Sequence, residues 1–309
     1  MKLLKVIKAG CNFLINSNYR FLILSGFGKY NYLTDEEYLG RMFEAHSGYK
    51  LDLNNPELFN EKIQWLKLYD RRPEYTMMVD KYRVKQYVAD KIGEQYIIPT
   101  LGVWNSPEDI EFEKLPDKFV LKCNHNSGLG MCICKDKSKL NISKVKRNLY
   151  KGLKQNYYLM GREWPYKDVP RKIIAEKYMV DGEETELKDY KVFNFDGEPR
   201  LIQVDYDRFS NHKRNLYSVD WEYIDAQIQY PTDSSVTIRK PDCLNEMLEL
   251  ARKLSEGYPH VRTDFYIIDR KIYFGELTFY HGSGIERIDP YELEKQMGDW
   301  LNLPPVDVK

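Results

Sequence analysis

One stretch, residues 259–284, constrains the fold more than any other part of the chain. It reads PHVRTDFYIIDRKIYFGELTFYHGSG, with two segments rich in β-branched and aromatic residues on either side of Asp269-Arg270-Lys271. This pattern predicts a β-hairpin whose strands cover residues 261–268 and 272–279.

Three charged residues fall on this hairpin: Arg262, Asp264 and Glu276. Residues two apart on a strand share one face, so Arg262 and Asp264 point the same way, and strand pairing brings Glu276 near them. Two adjacent carboxylates repel, which raises the pKa of one of them unless a cation such as phosphate-bound Mg²⁺ lies between them. We therefore expect a raised pKa in the metal-free pair. The alternative is an ordinary hairpin with solvated charges.

The amino-acid composition bears on two questions: whether the protein binds nucleic acid, and whether its cellular compartment is reducing. The chain has 309 residues, with 47 basic and 47 acidic side chains and a formal net charge of zero. Nucleic-acid binding usually needs a basic face, so we expect no nucleic-acid partner. The five cysteines are odd in number and form no disulfide-like framework, which fits a reducing compartment and predicts a cytoplasmic protein.

The N-terminal segment has two interpretations. Residues 2–15 place Leu3, Ile7 and Leu14 on one helical face and lysines on another. Such a helix can lie in the plane of a membrane, with its lysines facing the lipid headgroups. The alternative is a helix packed on its own domain. We expect residues 1–16 to modulate peripheral contact with the inner face of a membrane.

The next informative region combines a helix, a strand and a glycine loop. Residues 76–99 predict a helix that ends at Gly93, and Lys81, Arg83 and Lys85 on its early turns are ordinarily a solvated basic face. Residues 118–134 predict two strands around a glycine-bearing loop, whose backbone N–H groups can surround an anion. Lys122 lies inside the first of these strands, and a buried lysine is costly unless an anion neutralises it.

The order of these parts resembles the ATP-grasp superfamily. Within it, the sequence is most similar to the TupA-like branch found in polysaccharide-locus proteins. The segments that carry the superfamily resemblance are Asp80-Lys81, Val120-Leu121-Lys122, Ser127-Gly128-Leu129-Gly130, Ile174-Ala175-Glu176-Lys177-Tyr178, Arg262-Thr263-Asp264 and Gly275-Glu276-Leu277-Thr278, and those that carry the closer one are residues 59–65 and Cys123-Asn124-His125. The resemblance implies an α+β fold in which two α+β lobes grip ATP. We expect a helical N-terminal extension (1–75), a nucleotide-binding lobe (76–180) and a C-terminal lobe with the metal and acceptor site (181–309).

The resemblance also implies roles for individual residues. The phosphates of ATP would contact Lys81, Lys122, Lys191 and the backbone of Ser127, Gly128 and Gly130. The adenine would lie along Glu176, Lys177, Tyr178 and Met179, and the ribose near Glu183 or Glu184. Mg²⁺ would be held by Asp264, Glu276 and Thr278, where Thr278 stands in place of the family's usual asparagine. Arg262 would face the transferred phosphoryl group and the carboxylate that receives it.

These roles imply an ADP-forming ligase that makes a C–N bond through an acyl phosphate. We expect a small-molecule or glycan carboxylate and an amine as substrates, with amidation of a uronic acid in surface or capsule polysaccharide biosynthesis as the specific expectation. One alternative is a glycosyltransferase, for which Asp205-Tyr206-Asp207 could serve as a D-x-D metal motif. A non-catalytic nucleotide-binding module is the other alternative.

Overall fold

A computed structural model of the protein describes residues 12–182, 187–207 and 211–305. The helices in this part of the chain are α1 (Ser17–Gly26), α2 (Asp35–Ser47), α3 (Phe59–Tyr69), α4 (Tyr75–Met78), α5 (Val84–Ile92), α6 (Ile142–Lys154), α7 (Tyr158–Gly161), α8 (Leu244–Ser255) and α9 (Tyr291–Trp300). The strands are β1 (Thr100–Trp104), β2 (Phe119–Cys123), β3 (Cys132–Cys134), β4 (Ile173–Lys177), β5 (Asp189–Phe195), β6 (Glu198–Tyr206), β7 (Lys213–Tyr217), β8 (Tyr223–Ile224), β9 (Gln227–Ile228), β10 (His260–Ile268), β11 (Lys271–Thr278) and β12 (Ile288–Asp289).

The smaller of the two main sheets is antiparallel, with the order β1-β4-β2-β3. Phe119 and Leu121 on β2 are fully buried, and they pack in one apolar cluster with Leu149 of α6. Side chains alternate between the faces of a strand, so Val120 and Lys122 lie on the face that α6 leaves open. This open face is one wall of the cleft described below.

The larger sheet is also antiparallel, with the order β11-β10-β5-β6-β7-β8. One of its faces is apolar, where Met247, Ala251 and Leu254 of α8 are fully buried in the main hydrophobic core. The opposite face carries charged side chains on β5, β6, β7, β10 and β11. The mixture of helices with two antiparallel sheets confirms the α+β fold class.

The predicted hairpin is confirmed as β10 and β11, and its register contains one irregularity. Pairing is regular from Ile268 and Lys271 at the turn as far as Phe265 and Phe274, after which Asp264 pairs with Glu276. Gly275 is therefore the extra residue of a β-bulge. A side chain changes faces with each residue, so without this bulge Glu276 would lie on the other face from Asp264.

One N-terminal helix, α3, is in contact with the larger sheet. Phe59 and Ile63 of α3 are fully buried in its core, and the Phe59 ring lies 5.9 Å from that of Phe195 on β5. The boundaries expected near residues 75 and 180 stay predictions. As the structure has it, α3 is part of the core that supports the larger sheet.

The segment expected to contact a membrane is described only from residue 12. Leu14 and Ile15 are 76% and 81% exposed. Among the described residues, none of the helices combines the length and apolar character that a membrane span requires. Membrane contact through residues 1–16 stays a prediction.

Candidate active site

A cleft with a volume of about 340 Å³ lies between the open face of the smaller sheet and the charged face of the larger one. We call it the first cleft. Its lining includes most of the residues that the sequence assigned to a nucleotide, namely Lys81, Lys122, Ser127, Gly128, Glu176, Lys177, Tyr178, Met179 and Lys191, together with Asp264 and Glu276. Glu183 and Glu184 lie outside the described residues. The structure thus brings most of the predicted site together.

Glu176 is the carboxylate that pairs with the lysines on the open face of the smaller sheet. Its carboxylate lies 2.6 Å from Lys122 Nζ and 2.7 Å from Lys85 Nζ. Burial alone raises the pKa of Glu176, but the two lysines outweigh it and lower the pKa below the ordinary value. The anion that Lys122 requires is therefore supplied by the protein itself, and the interpretation of Lys85 as part of a solvated face is wrong.

Asp80 fixes the position of Lys81. The Asp80 side chain is buried, and its Oδ1 accepts hydrogen bonds from the Tyr82 backbone N–H (2.9 Å) and from Asn124 Nδ2 (2.8 Å). The Lys81 backbone N–H donates in turn to the Asn124 carbonyl at 3.1 Å. These contacts hold Lys81 beside the start of the glycine loop, and its Nζ lies 3.4 Å from the Glu276 carboxylate.

The two glycines of this loop have different environments. Gly128 has φ +81° and lines the first cleft, and a Cβ there would point into open space. Gly130 has φ +80°, but a Cβ there would meet Cys123 Sγ at 2.9 Å and the Gly152 backbone at 3.1 Å. Gly130 therefore packs against α6 and does not line the cleft, so the structure favours a packing role over the predicted phosphate contact.

Arg262 and Asp264 form a bidentate ion pair within β10. Arg262 donates from Nε to Asp264 Oδ1 and from Nη2 to Oδ2, each at 2.7 Å. It also donates from Nη2 to Thr278 Oγ1 at 3.1 Å and from Nη1 to His281 Nδ1 at 2.6 Å. Burial alone lowers the pKa of Arg262, but Asp264 outweighs it and the pKa is raised. The guanidinium is thus charged and fixed on all its nitrogens.

This pair continues into a ring of charges across the sheet. Lys191 on β5 donates to Asp264 Oδ2 at 2.8 Å and to Asp189, and its Nζ lies 4.0 Å from Asp205. The ring then passes through four groups that the predicted ATP site did not include. Asp205 accepts from Arg214 Nε at 2.8 Å, Arg214 donates to Glu286 at 2.9 Å, and Glu286 lies 3.1 Å from His281, which contacts Arg262.

The expected repulsion between Asp264 and Glu276 does not occur. Glu276 is flanked by Lys81 at 3.4 Å and by Arg262 at 3.5 Å. Burial alone raises its pKa, but these cations outweigh it and lower the pKa to about 2. The prediction of a raised pKa is wrong for Glu276, because built-in cations neutralise its carboxylate. The ion pairs of Glu276 therefore contribute fully to the free energy of unfolding above the ordinary glutamate pKa of 4.5. This contribution is lost as the pH falls towards about 2.

The predicted metal ligands can accommodate Mg²⁺ only together with ligand oxygens from a substrate. In the described residues, no three His, Cys, Asp or Glu side chains converge on one point. Glu276 is 39% exposed towards the cleft, whereas both Asp264 oxygens and Thr278 Oγ1 already accept hydrogen bonds from Arg262. Mg²⁺ commonly uses one or two carboxylates plus phosphate oxygens, which fits this donor set.

A second cleft of about 450 Å³ adjoins the first, and Lys81, Ser127 and Glu276 line both. Arg262 and Thr278 face this second cleft, not the first. The remaining lining is rich in tyrosine and glutamate, from Tyr157, Glu163, Tyr166, Tyr230, Tyr280 and Glu286. The sequence prediction did not include these residues. Tyr157, Glu163, Tyr166 and Tyr230 come from segments distant from the hairpin in sequence, and Tyr280 and Glu286 follow it without a recognisable motif.

The loop that carries His281 and Glu286 is held by one polar face of α3. Asn60 donates to the Glu286 carbonyl at 2.9 Å, and Gln64 donates to the Gly284 carbonyl at 2.7 Å. Lys67 is fully buried and donates to the carbonyls of Ser283 (2.7 Å) and Gly161 (2.8 Å). This spacing places the three donors on the same side of a helix. The segment 59–67 therefore shapes the second cleft.

Replacing Gly275 by alanine is expected to destabilise the protein by about 1–3 kcal/mol, because the added Cβ overpacks the bulge. That Cβ would meet the Asp264 carbonyl at 3.1 Å and the Tyr266 ring at 3.3 Å. Gly40→Ala is the control, since a Cβ there meets nothing within 4 Å and alanine favours the helix. Unfolding in urea measures both variants. A Gly275→Ala protein as stable as the parent would contradict the role of the bulge.

Asp264→Asn is expected to destabilise the metal-free protein by about 3–5 kcal/mol, because it leaves Arg262 and Lys191 buried without their shared counterion. Glu276→Gln provides the comparison: its carboxylate is partly exposed, so its loss should cost about 1 kcal/mol or less. Free energies of unfolding at neutral pH measure the difference. Equal stability of the two variants would show that the ring of charges does not depend on Asp264.

The model of the TupA-like ATP-grasp family matches residues 61–302. A D-alanine–D-alanine ligase from Bacillus anthracis, solved with ATP, is 18% identical, with 66% of this chain and 54% of that chain covered and a TM-score of 0.39. An N5-carboxyaminoimidazole synthase from Aspergillus clavatus, solved with ADP, is 16% identical, with 67% and 46% covered and a TM-score of 0.39. The chain thus spans about half the length of these two structures.

No curated protein matches the sequence. The family model nevertheless covers most of the chain, including the hairpin, the glycine loop and α3 from residue 61 onwards. The protein has the ATP-grasp fold and belongs to the TupA-like ATP-grasp family.

Proposed function

We propose that the protein is an ADP-forming ligase that uses ATP to activate a carboxylic acid as an acyl phosphate and then joins it to an amine. The observation that carries this proposal is the junction of the two clefts at Lys81, Ser127 and Glu276. A nucleotide in the first cleft would present its terminal phosphate at this junction. An acid in the second cleft would meet it beside Arg262.

The first cleft has the features that a nucleotide requires. Lys81, Lys122 and Lys191 would offset the phosphate charge, with backbone N–H groups of the 127–128 loop as further donors. Apolar side chains of Ile98, Val120, Met131, Met179 and Phe274 also line the cleft and would surround the base, beside the backbone of residues 176–179. The ribose contacts of Glu183 and Glu184 belong to the same proposal.

Arg262 would bind the acid and the transferring phosphoryl group. Its guanidinium faces the second cleft and is fixed by Asp264 and Thr278, so little reorganisation is needed when substrate charge develops. Mg²⁺, held by Glu276 with Asp264 and Thr278, would neutralise phosphate charge. The protein's task is then to position the acid, the phosphate and the amine and to exclude water.

For the substrate class, we propose a uronic acid or similar acid of surface polysaccharide biosynthesis, supported by the TupA-like resemblance. The glycosyltransferase alternative depended on the D-x-D motif at residues 205–207. Its first aspartate, Asp205, is 2% exposed and forms an ion pair with Arg214, which argues against a metal-binding role. Thr278, expected as a metal ligand, already accepts a hydrogen bond from Arg262. A non-catalytic nucleotide-binding module is therefore the competing function.

The direct test is ATP turnover screened against uronic acids crossed with amino acids and simple amines. The proposal predicts that ADP and phosphate form only when both an acid and an amine are present. Release of AMP would indicate adenylation and contradict the acyl phosphate. ATP binding with no acceptor-dependent turnover across the screen would favour the non-catalytic module, and consumption of a nucleotide sugar would favour the transferase.

Lys122→Ala is expected to weaken MgATP binding by about tenfold to a hundredfold, the usual cost of one charge-assisted phosphate contact. Folding should change much less, because Glu176 keeps its contact with Lys85. Lys118→Ala, at an exposed position just before the same strand, is the control. Calorimetric titration with MgATP measures both variants. Unchanged affinity in Lys122→Ala would rule out the phosphate contact.

A further inference from the structure

Glu163 is a buried carboxylate that lines the second cleft and makes no ion pair within the described residues. Its residue is only 9% exposed, and it follows α7 directly. Within the described residues, no ion pair joins it to a lysine, arginine or histidine. The Ser283 hydroxyl is its hydrogen-bonding neighbour. A buried carboxylate without a counterion is costly, so this position is suited to a cation that arrives with a ligand.

The charged groups around Glu163 do not supply that cation. Lys67 of α3 is the cation that most lowers the pKa of Glu163, and both side chains contact the Ser283 hydroxyl. The three N–H groups of Lys67 are, however, shared among Gly161 O, Ser283 O, Ser283 Oγ and Gln64 Oε1. Arg262 is occupied by Asp264. Burial raises the pKa of Glu163; Lys67 and Arg262 oppose this only in part, and Glu276 reinforces it.

The other two glutamates of the second cleft are neutralised already. Glu286 lies 2.9 Å from Arg214 and 3.1 Å from His281, and Glu276 lies 3.4 Å from Lys81. Glu163 therefore differs from both of them in having no ion-pair partner among the described residues. The second cleft therefore has two regions of opposite charge: the region near Arg262 suits an anion, and the region near Glu163 suits a cation.

Two aromatic rings complete the environment of this carboxylate. Tyr157 and Tyr166 also line the second cleft, in an edge-to-face arrangement with their centroids 4.8 Å apart. Burial raises the pKa of Tyr157, and the charge of Glu163 raises it further. Aromatic faces next to a carboxylate favour an ammonium group, through both the ring quadrupole and the removal of water.

We propose that the second cleft binds the amine substrate as an ammonium ion, and that Glu163 is the carboxylate that holds the ammonium group and accepts its proton. The inference rests on the proposed ligase function and adds to it the class of the second substrate, a cationic amine. No negatively charged or permanently neutral nucleophile would be accepted equally well at this position.

The chemical step balances with these groups alone. Glu163 takes one proton from the ammonium nitrogen, which frees the nitrogen's electron pair to attack the carbonyl carbon of the acyl phosphate. A C–N bond forms, the bond between the carbonyl carbon and the oxygen that bridges it to phosphorus breaks, and phosphate leaves with the bonding electrons. The departing phosphate takes the second proton from the nitrogen, which leaves a neutral amide. A raised pKa makes Glu163 a better proton acceptor near neutral pH than an exposed glutamate, which supports this assignment.

The test compares amines with neutral molecules of matched shape on the full chain in the presence of MgADP. Ethanolamine is paired with ethylene glycol, glucosamine with glucose, and lysine amide with the lysine amide that is acetylated on both amino nitrogens. We expect at least one amine, and not its neutral counterpart, to raise the melting temperature of the parent. Glu163→Gln should lose this response, with amine affinity weakened about tenfold or more. Glu163→Asp should keep part of it.

Glu222→Gln is the matched control, at an exposed position, and it should retain the whole amine response. An amine response that persists in Glu163→Gln, or a parent that responds to none of the amines, would overturn this inference while leaving nucleotide binding intact. Failure of MgADP to stabilise the parent would instead overturn the proposed function and this inference with it.

A kinetic comparison distinguishes proton transfer from a purely structural role. Hydroxylamine is largely uncharged near neutral pH and can attack an acyl phosphate without a protein base. With the acid found by the turnover screen, Glu163→Gln should still form the hydroxamate while losing turnover with cationic amines. Equal losses with hydroxylamine and with cationic amines would show that Glu163 only supports the fold.

Discussion

The ion pair between Arg262 and Asp264 is the interaction on which the rest of the site depends. Both side chains lie on one face of β10, and two hydrogen bonds join them, each with a donor–acceptor distance of 2.7 Å. Burying it is affordable only because Lys191, His281 and Thr278 satisfy the remaining atoms. The pair therefore fixes the sheet, the 281–286 loop and the cleft wall relative to one another, and it leaves the guanidinium oriented for a substrate.

Much of this site could be predicted from the sequence because its central elements are local. The hairpin follows from its residue pattern, and Lys122 and the glycine loop follow from adjacent segments. The ring through Asp205, Arg214 and Glu286 could not be predicted. It requires β5, β6 and β7 to pair with one another, and it requires a loop far along the chain to reach Arg214 on β7. Lys85 did carry a signal: it lies four residues after Lys81, a spacing that brings two side chains to one face of a helical turn.

The error about the acidic pair has a physical cause. A sequence shows that two carboxylates share a face, but it does not show how many cations the fold places around them. Here Lys81, Lys191 and Arg262 surround Asp264 and Glu276, so the charge that a metal would neutralise is largely balanced beforehand. Glu276 is the acid with an exposed side, which makes it the group through which Mg²⁺ and phosphate would couple to the hairpin.

We propose the hairpin as the point where Mg²⁺ and a nucleotide meet the protein. The affinity of ADP with and without Mg²⁺, measured for the parent and for Glu276→Gln, tests this proposal. We expect Mg²⁺ to strengthen ADP binding to the parent about tenfold or more and this gain to disappear in Glu276→Gln, while metal-free ADP binds both proteins similarly. A Glu276→Gln protein that keeps the full Mg²⁺-dependent gain would show that the metal is bound elsewhere.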